Sequence, residues 1–282
     1  MGSCLDRDHG PPERGTRLEW PEWVVFHVPH ASQVIPVEAR SAFLLADEEL
    51  QAELDRLTDH YVDILFAPSD GEAVAVTAAV SRFVVDVERF LDAEHEPMAK
   101  VGMGAIYMRT TDGRPLRRAL TDNEERNLLD AHYRPHHCHL TAAVDRALDE
   151  RGRALILDFH SFPDTPLACD MDQTPLRPDI CVGTDAFHTP QALVEALTRH
   201  FVAAGFTVEI NRPYSGTIVP LRHYRRQPRV ASVMVEVNRR LYLEPGTVCL
   251  VEDAGEIGSI VQAAVHGAVV DWVASSAFLG QG

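Results

Sequence analysis

Two patterns of apolar positions alternate along this chain and predict its secondary structure. Short apolar runs rich in β-branched residues predict strands over residues 24–29, 73–78, 83–87, 155–159, 206–210 and 232–237. Longer stretches with apolar residues every three or four positions predict helices over 47–66, 122–150 and 190–204. A last helix is the clearest, because apolar residues from Ile257 to Trp272 follow the 3.6-residue period. Asp47 and Thr121 are predicted helix N-caps, and Glu124 would complete a capping box with Thr121.

The order of these elements indicates the fold class. Most predicted strands are apolar on both faces, which is typical of a sheet covered by helices on each side. We therefore expect a single α/β domain over residues 21–282, with three α/β/α layers around a mixed, mostly parallel sheet. Residues 1–20 are polar and rich in Pro and Gly, and we expect them to form a flexible tail.

Charge and composition narrow the class of function. The 282 residues include 26 Lys and Arg against 42 Asp and Glu, which gives a formal net charge of −16. This balance argues against nucleic acid as a partner, because its phosphates would be repelled over most of the surface. An anionic substrate would therefore need a local cluster of arginines. No run of about 18 uncharged apolar residues is present, so we expect no membrane span.

The amino-terminal segment and the cysteines indicate a compartment. Residues 1–20 lack the apolar core of a signal peptide. The five cysteines are odd in number, scattered and without CxxC spacing, which favours a reducing environment over a disulfide framework. We therefore expect a cytoplasmic protein.

Polar residues lie at or near the ends of three predicted strands. His30 follows the first strand in VPHAS, His160 follows residues 155–159 in LILDFHS, and Glu236 lies within MVEVN. Ligands of open α/β sheets bind at the carboxyl ends of strands, so two histidines on separate strands suggest a metal site. Imidazole and carboxylate donors favour zinc, with Glu236 as a general base. The alternative for each histidine alone is a hydrogen-bonded structural role.

A second histidine group, in HYRPHHCHL, lies on a predicted helix. Its spacing matches no standard zinc pattern, and His136, His137 and His139 project in different directions. His132 and His136 share one helix face, but no HExxH motif accompanies them. We interpret this group as structural or exposed at the surface.

Arginines supply candidate groups for binding an anion. Arg82 and Arg89 lie at the two ends of the predicted strand 83–87, and a guanidinium can bind a carboxylate through two hydrogen bonds. PLRHYRRQPR adds a second group that begins with Arg222. Ion pairing with acidic residues at the surface is the alternative, and we prefer it for Arg225, Arg226 and Arg229.

Seven short segments follow one another in an order that is known from a protein family. They read VPHAS, LTDHYVD, SRFVVDVER, GMGAIYMRTTDGRPLR, LILDFHS, NRPYSGTIVPLRHY and VEVNRRLYL, and they span roughly residues 24–245. In this order they resemble the N-formylglutamate amidohydrolases, which belong with zinc-dependent deacylases and exopeptidases of the carboxypeptidase and aspartoacylase type. The resemblance implies a zinc-exopeptidase-like fold, one zinc ion per chain and hydrolysis of N-formyl-L-glutamate to formate and L-glutamate in histidine degradation.

The resemblance also implies roles for individual residues. His30 and His160 would be zinc ligands, and Glu236 would be the catalytic base. DVER resembles the DLNR motif of these deacylases, whose Asn–Arg pair binds the substrate carboxylate. Arg89 matches that motif, whereas Glu88 replaces the Asn and would repel an anionic substrate. The segment YSGTIVPLRHY makes three residues candidates for substrate contact, namely Ser215, Arg222 and His223.

The third zinc ligand is not fixed by the sequence. Carboxypeptidase-like enzymes have a glutamate three positions after the first histidine, but Gln33 stands there in this chain. Asp59 or Asp63 of LTDHYVD is the alternative that the family implies. If residues 47–66 form one helix, Asp59 lies opposite its apolar stripe, which would leave the carboxylate in water.

Other functions also fit the sequence. A zinc-dependent deacylase could act on another N-acyl amino acid or on a peptide amide, although a small anionic N-acyl amino acid is the expected partner. A serine hydrolase would use Ser32 or Ser161, but the chain has no G-x-S-x-G motif. A metal-free small-molecule binding protein of the same fold is the alternative outside catalysis, and Glu88 and Gln33 favour it.

Overall fold

A mixed sheet of six strands forms the centre of the computed structural model, which describes residues 18–68, 73–92 and 94–279. The strands are β1 (Val24–Val28), β2 (Val74–Thr77), β3 (Ala154–Phe162), β4 (Ile180–Gly183), β5 (Val208–Ile210) and β6 (Val230–Asn238). Their order across the sheet is β2-β1-β3-β6-β4-β5. The first four in this order are parallel, whereas β4 pairs antiparallel with β6 and parallel with β5.

Helices pack on this sheet and complete the layers. They are α1 (Val37–Arg40), α2 (Asp47–Leu57), α3 (Val62–Leu65), α4 (Asp122–Leu128), α5 (Arg134–Arg151), α6 (Gln191–Ala203) and α7 (Ala254–Leu279). Helix α5 contacts β1, β2 and β3, whereas α6 and α7 pack on each other and α3 contacts both α7 and β3. The predicted α/β class with a mixed, mostly parallel sheet is confirmed.

The main core begins earlier in the chain than the sequence suggested. Phe26 of β1 and Phe159 of β3 stack with ring centroids 5.8 Å apart. Trp20 is buried and packs edge-on against Phe26 and His266, at 4.8 and 5.0 Å. The flexible tail predicted for residues 1–20 therefore does not extend to Trp20, and its first 17 residues lie outside the described part of the chain.

Helix α7 is long and apolar. By length and composition its segment Ala254–Ser275 could cross a membrane. Its residues Val261, Val265 and Val269, however, are fully buried in the main core. An apolar face that packs on the sheet and on other helices is typical of a core helix.

Residues 83–87 form a buried loop, so the strand predicted there is wrong. The amide of Val84 donates to the carbonyl of Ser81, and the amide of Phe83 donates to the Ser81 hydroxyl, which closes a turn. Phe83 and its apolar neighbours fill a second hydrophobic cluster together with Tyr107. The apolar run therefore reflects burial of a loop and not pairing in the sheet.

The helix predicted over residues 47–66 is interrupted before Asp59. Helix α2 ends at Leu57, and Tyr61, with φ of 61°, lies in the left-handed region before α3 begins. The Asp59 amide donates to the carbonyl of His30 at 2.9 Å. Helical phase therefore does not determine where Asp59 points. The N-cap of α2 is Ala46, so the prediction of Asp47 at that position is wrong by one residue.

The helix predicted over residues 122–150 contains a π-helical turn. This turn, Leu129–Tyr133, joins α4 to α5. The Thr121 hydroxyl accepts from the Glu124 amide at 3.3 Å, and the Glu124 carboxylate accepts from the Thr121 amide at 2.8 Å, so the predicted capping box is confirmed.

Strand β4 and the disulfide of Cys249 were not predicted from the sequence. Strand β4 was not predicted, because its four residues leave too short an apolar run. Cys138, Cys169 and Cys181 carry free thiols, whereas Cys249 is disulfide-bonded. The scattered cysteines did not predict that disulfide.

Candidate metal centre and substrate cavity

A cavity of about 430 Å³ is lined by residues from the carboxyl ends of the parallel strands. His30 lies two residues beyond β1, and His160 and Glu236 are register partners on the adjacent strands β3 and β6. All three residues line the cavity and are buried. The polar residues predicted at the strand ends therefore lie together in this cavity.

Three buried donor atoms form a triangle at the base of this cavity. His160 Nδ1 lies 3.2 Å from His30 Nδ1 and 3.0 Å from Asp59 Oδ2. The third side, from His30 Nδ1 to Asp59 Oδ2, is 3.7 Å. A tetrahedral zinc with bonds of about 2.0–2.2 Å separates its ligand atoms by about 3.3–3.6 Å. The donor types and the spacing of the triangle therefore fit zinc.

The outward nitrogen of each histidine faces a buried carboxylate. His30 Nε2 lies 2.9 Å from Asp86 Oδ1, and His160 Nε2 lies 3.1 Å from Asp158 Oδ1. If each Nε2 carries the proton, it donates to its carboxylate and leaves Nδ1 free to bind a metal. This arrangement is the one that metal-ligating histidines adopt in proteins.

Neighbouring groups keep the carboxylates of Asp59 and Asp86 ionised. Burial alone would raise the pKa of Asp59, but hydrogen bonds from His160 and His30 hold it well below its usual range. Burial likewise opposes ionisation of Asp86, and the charges of His30, Arg82 and Arg89 hold its pKa well below normal. Both side chains are therefore negatively charged, as a cation site requires.

Arg239 fixes the orientation of Asp59. Its Nη2 donates to Asp59 Oδ1 at 3.0 Å, which turns the other carboxylate oxygen toward the histidines. Its Nε donates to the Ser161 hydroxyl at 3.0 Å. Arg239 was not among the residues predicted for the site, although it lies in the family-like segment VEVNRRLYL.

Glu88 also reaches the metal centre. Its Oε2 lies 3.1 Å from His160 Nε2 and 3.9 Å from His30 Nδ1. Its Oε1 lies 3.6 Å from Nδ1 of the buried His27. Two groups that share Glu88 could therefore also hold a metal, one with His30 and His160 and the other with His27 and Asp158.

Glu236 presents a buried carboxyl group with an uncommitted oxygen. The residue is only 6% exposed, and its Oε2 has no hydrogen-bond partner among the described residues. Burial, reinforced by the negative charges of Asp59 and Glu88, raises the pKa of Glu236 to about 8. A carboxyl group that titrates near neutral pH is suited to general acid–base work.

Of the two predicted strand-end arginines, Arg89 is the more exposed, at 23% against 12% for Arg82. Arg82 donates to Asp86 Oδ2 and to the Tyr107 hydroxyl, both at 3.0 Å, and thereby supports the carboxylate behind His30. Arg89 lines the cavity and is 23% exposed, and its Nε has no hydrogen-bond partner within the described residues. Its nearest carboxylate atom, Asp86 Oδ2, is 3.5 Å away.

The loop after β5 places one of its three predicted contact residues in the cavity. Ser215 lines the cavity. Arg222 and His223 do not line it, and each instead binds the Asp145 carboxylate of α5 at 2.7 Å. The expectation that Arg222 and His223 contact substrate is thus at odds with their position, because Asp145 draws them away from the cavity.

This position leads to a prediction for Arg222. We expect Arg222→Ala to change kcat/KM by less than about twofold, since an exposed ion pair contributes about 0–1 kcal/mol and lies away from the cavity. Steady-state kinetics of the variant beside the unmodified protein would check this. A tenfold loss of kcat/KM would show instead that Arg222 contacts the substrate.

The histidine group on α5 has a supporting role. His136 Nε2 lies 2.8 Å from His27 Nε2, and His27 Nδ1 lies 2.7 Å from Asp158 Oδ1. His137 binds the carbonyl of Val87 at 2.8 Å. These contacts agree with a structural role for His136 and His137. His27 could not be recognised from its sequence context, because it lies inside an apolar strand.

The remaining sequence candidates lie outside the metal centre. Gln33 contacts His60 at 3.3 Å, and Asp63 is exposed on α3. Ser32 donates to a backbone carbonyl and Ser161 accepts from Arg239, and neither hydroxyl binds a histidine in the part of the chain described. These contacts give no support to a serine nucleophile.

Comparison with known proteins agrees with this geometry. A sequence profile of the N-formylglutamate amidohydrolases matches residues 23–243, which is most of the chain. The chain belongs to the N-formylglutamate amidohydrolase family. It is therefore a hydrolase that acts on amide bonds.

Solved structures show the same fold. An N-formylglutamate amidohydrolase from Ralstonia eutropha JMP134 is 25% identical, with a TM-score of 0.75 over 86% of this chain and 91% of the other. A gene product of Agrobacterium tumefaciens is 18% identical, with a TM-score of 0.64 over 88% and 91% of the two chains. A comparison with curated proteins finds no match. The amidohydrolase fold of this chain is thus shared over nearly its full described length.

Proposed function

We propose that this amidohydrolase uses one zinc ion to hydrolyse N-formyl-L-glutamate to formate and L-glutamate. The observation that carries the proposal is the buried triangle of His30 Nδ1, His160 Nδ1 and Asp59 Oδ2 beside Glu236 in one cavity. Membership of the N-formylglutamate amidohydrolase family supports the choice of substrate.

Asp59 suits the third ligand position better than Glu88. The sides of its triangle, 3.0, 3.2 and 3.7 Å, lie close to the edges of a zinc tetrahedron. Glu88 lies 3.9 Å from His30 Nδ1 and faces the outward nitrogen of His160. When bound by His30, Asp59 and His160, zinc would polarise the formyl carbonyl and acidify water.

Glu236 would handle the protons of the reaction. In the proposed mechanism its carboxylate takes a proton from the attacking water and then delivers it to the amide nitrogen of the leaving glutamate. This requires an oxygen that is not engaged elsewhere, and Glu236 Oε2 meets that requirement within the described residues. The raised pKa of the buried Glu236 makes its carboxylate a stronger base, and only the ionised fraction, which grows as the pH rises toward about 8, can take the proton.

Arg89 would hold the substrate in position. N-formylglutamate carries two carboxylates, and the acidic surface of the protein would otherwise repel them. The Arg89 side chain lines the same cavity as Glu236 and is 23% exposed. A charge-assisted contact there would bring the formyl carbonyl to the metal centre.

Replacing Arg89 tests this anchoring. We expect Arg89→Ala to raise KM for N-formylglutamate about 10- to 100-fold, because a hydrogen bond to a charged group contributes about 1.5–3 kcal/mol. Steady-state kinetics would compare the substrate with its uncharged diamide, for which Arg89→Ala should have little effect. Arg226→Ala, an exposed arginine, is the matched control. An unchanged KM for N-formylglutamate would contradict the anchoring role.

A direct assay tests the proposed substrate. Purified protein would be mixed with N-formylglutamate, N-acetylglutamate or N-formylalanine, and release of formate or acetate would be measured. We expect N-formylglutamate to give the highest kcat/KM. Higher activity with N-acetylglutamate would show that the enzyme prefers an acetyl to a formyl group. No release from any substrate would favour a binding protein of the same fold.

The place of the reaction in the cell is part of the same proposal. Hydrolysis of N-formylglutamate would make this protein an enzyme of histidine degradation. Its partner would be a small anionic N-acyl amino acid, in agreement with the family to which the chain belongs.

A further inference from the structure

Glu88 occupies the position where the family motif has Asn, and its carboxylate lies against the metal centre. The side chain is 13% exposed, and its Oε2 lies 3.1 Å from His160 Nε2. Its backbone amide donates to Asp86 Oδ1 at 3.0 Å, and the same oxygen accepts from His30 Nε2. Glu88 thus contacts the carboxylate behind His30 through its backbone amide and His160 itself through its side chain.

These contacts give Glu88 a different role from the one that its charge suggests. A carboxylate beside Arg89 would repel an anionic substrate if it faced the guanidinium. In the described residues the ion pairs of Arg89 are with Asp86 and Glu96, at 3.5 and 4.0 Å, and not with Glu88. The Glu88 carboxylate is instead within ion-pair distance of three histidines, His27, His30 and His160.

Asp158 is shared between His160 and other donors. Its Oδ1 faces His27 Nδ1 at 2.7 Å as well as His160 Nε2 at 3.1 Å. Its Oδ2 accepts from the backbone amide of Ile218 at 3.1 Å. Glu88 supplies a second oxygen at the same 3.1 Å from His160 Nε2.

We propose that Glu88 is a positioning residue of the metal centre and does not select the substrate. This inference rests on the proposed zinc site. The negative charge of Glu88, 3.1 Å from His160 Nε2, favours the proton on that nitrogen, which donates to Asp158, and this leaves His160 Nδ1 directed toward His30 and Asp59. A carboxylate on the outward nitrogen of a histidine ligand fixes its tautomer and raises its basicity.

Zinc affinity measured by competition with a chromogenic chelator tests the inference without any substrate. We expect the zinc dissociation constant to rise about tenfold in Glu88→Gln, which keeps a neutral acceptor, and up to about 100-fold in Glu88→Ala. Asp59→Asn, which removes a proposed ligand oxygen, should weaken binding more than either. Glu150→Gln, at an exposed position of α5, is the matched control.

Kinetics separate positioning from substrate selection. Glu88→Asn restores the family residue, and at saturating zinc it should leave KM for N-formylglutamate within about twofold, because Glu88 faces the histidines. Unchanged zinc affinity together with a lower KM would overturn the inference in favour of substrate repulsion. A larger loss of zinc affinity in Glu88→Gln than in Asp59→Asn would also overturn it, because Glu88 would then be a ligand.

Failure of this inference can be told apart from failure of the proposed function. If the unmodified protein binds zinc and Glu88→Ala binds it equally well, only the role of Glu88 is wrong. If the unmodified protein does not bind zinc in the competition assay, the proposed metal centre fails and this inference fails with it. Circular dichroism of the metal-free variants would confirm that each is folded.

Discussion

Replacement of Glu236 by Gln is expected to lower kcat by a factor of about 100 to 10,000, the range found when a general acid–base group is removed. Gln has nearly the same shape and cannot take a proton from water. Burial already raises the pKa of Glu236 to about 8, so a neutral side chain suits this site and the fold should be retained.

The experiment on Glu236 needs a measure of metal content beside turnover. Elemental analysis of Glu236→Gln should show the same zinc content as the unmodified protein, because Glu236 is not a proposed ligand. Glu252→Gln, at an exposed position, serves as the control for loss of a carboxylate. Turnover of Glu236→Gln within about threefold of the unmodified enzyme would remove the residue from the mechanism.

His160→Ala should abolish tight zinc binding. His160 supplies the corner of the triangle that lies closest to both His30 Nδ1 and Asp59 Oδ2, at 3.2 and 3.0 Å. Structural zinc sites bind with about 10–16 kcal/mol over four ligands, or roughly 3 kcal/mol for each. Loss of one ligand should therefore raise the zinc dissociation constant about 100-fold or more.

The His160 prediction is checked by chelator competition and by formate release at limiting zinc. His200→Ala is the matched control, since His200 binds Asp271 on α7 at 3.0 Å, outside the cavity. We expect the control to bind zinc as the unmodified protein does. Undiminished zinc affinity in His160→Ala would mean that the metal, if bound, lies elsewhere.

The sheet and the histidines at its edge could be predicted from local patterns. Continuous apolar runs located β1, β3 and β6, and the carboxyl-end rule placed His30 and His160 at one edge. These features depend on residues that are close in sequence. For the same reason the capping box at Thr121 was predictable.

The third corner of the triangle depends on a contact that sequence patterns do not show. Helical periodicity placed Asp59 in water, but α2 ends at Leu57. The Asp59 amide donates to the carbonyl of His30. The Asp59 carboxylate accepts a hydrogen bond from Arg239, which lies 180 positions further along the chain. Only the resemblance to the family drew attention to Asp59.

Burial of loops accounts for other differences. Phe83, Val84 and Val85 fill a second cluster, and an apolar run alone does not distinguish this from a strand. Arg222 matched a family segment, but whether an arginine faces a cavity or a surface carboxylate depends on the tertiary position of Asp145. Charge alone could not decide between these two environments.

The central claim is that the His30–Asp59–His160 triangle holds a zinc ion on which hydrolysis of N-formylglutamate depends. The most direct measurement is metal content by mass spectrometry on protein purified without chelator or metal-binding tag, with formate release assayed on the same sample before and after chelation. We predict about one zinc per chain, loss of formate release on chelation and recovery on adding zinc. Formate release that continues at full rate in metal-free protein would contradict the claim.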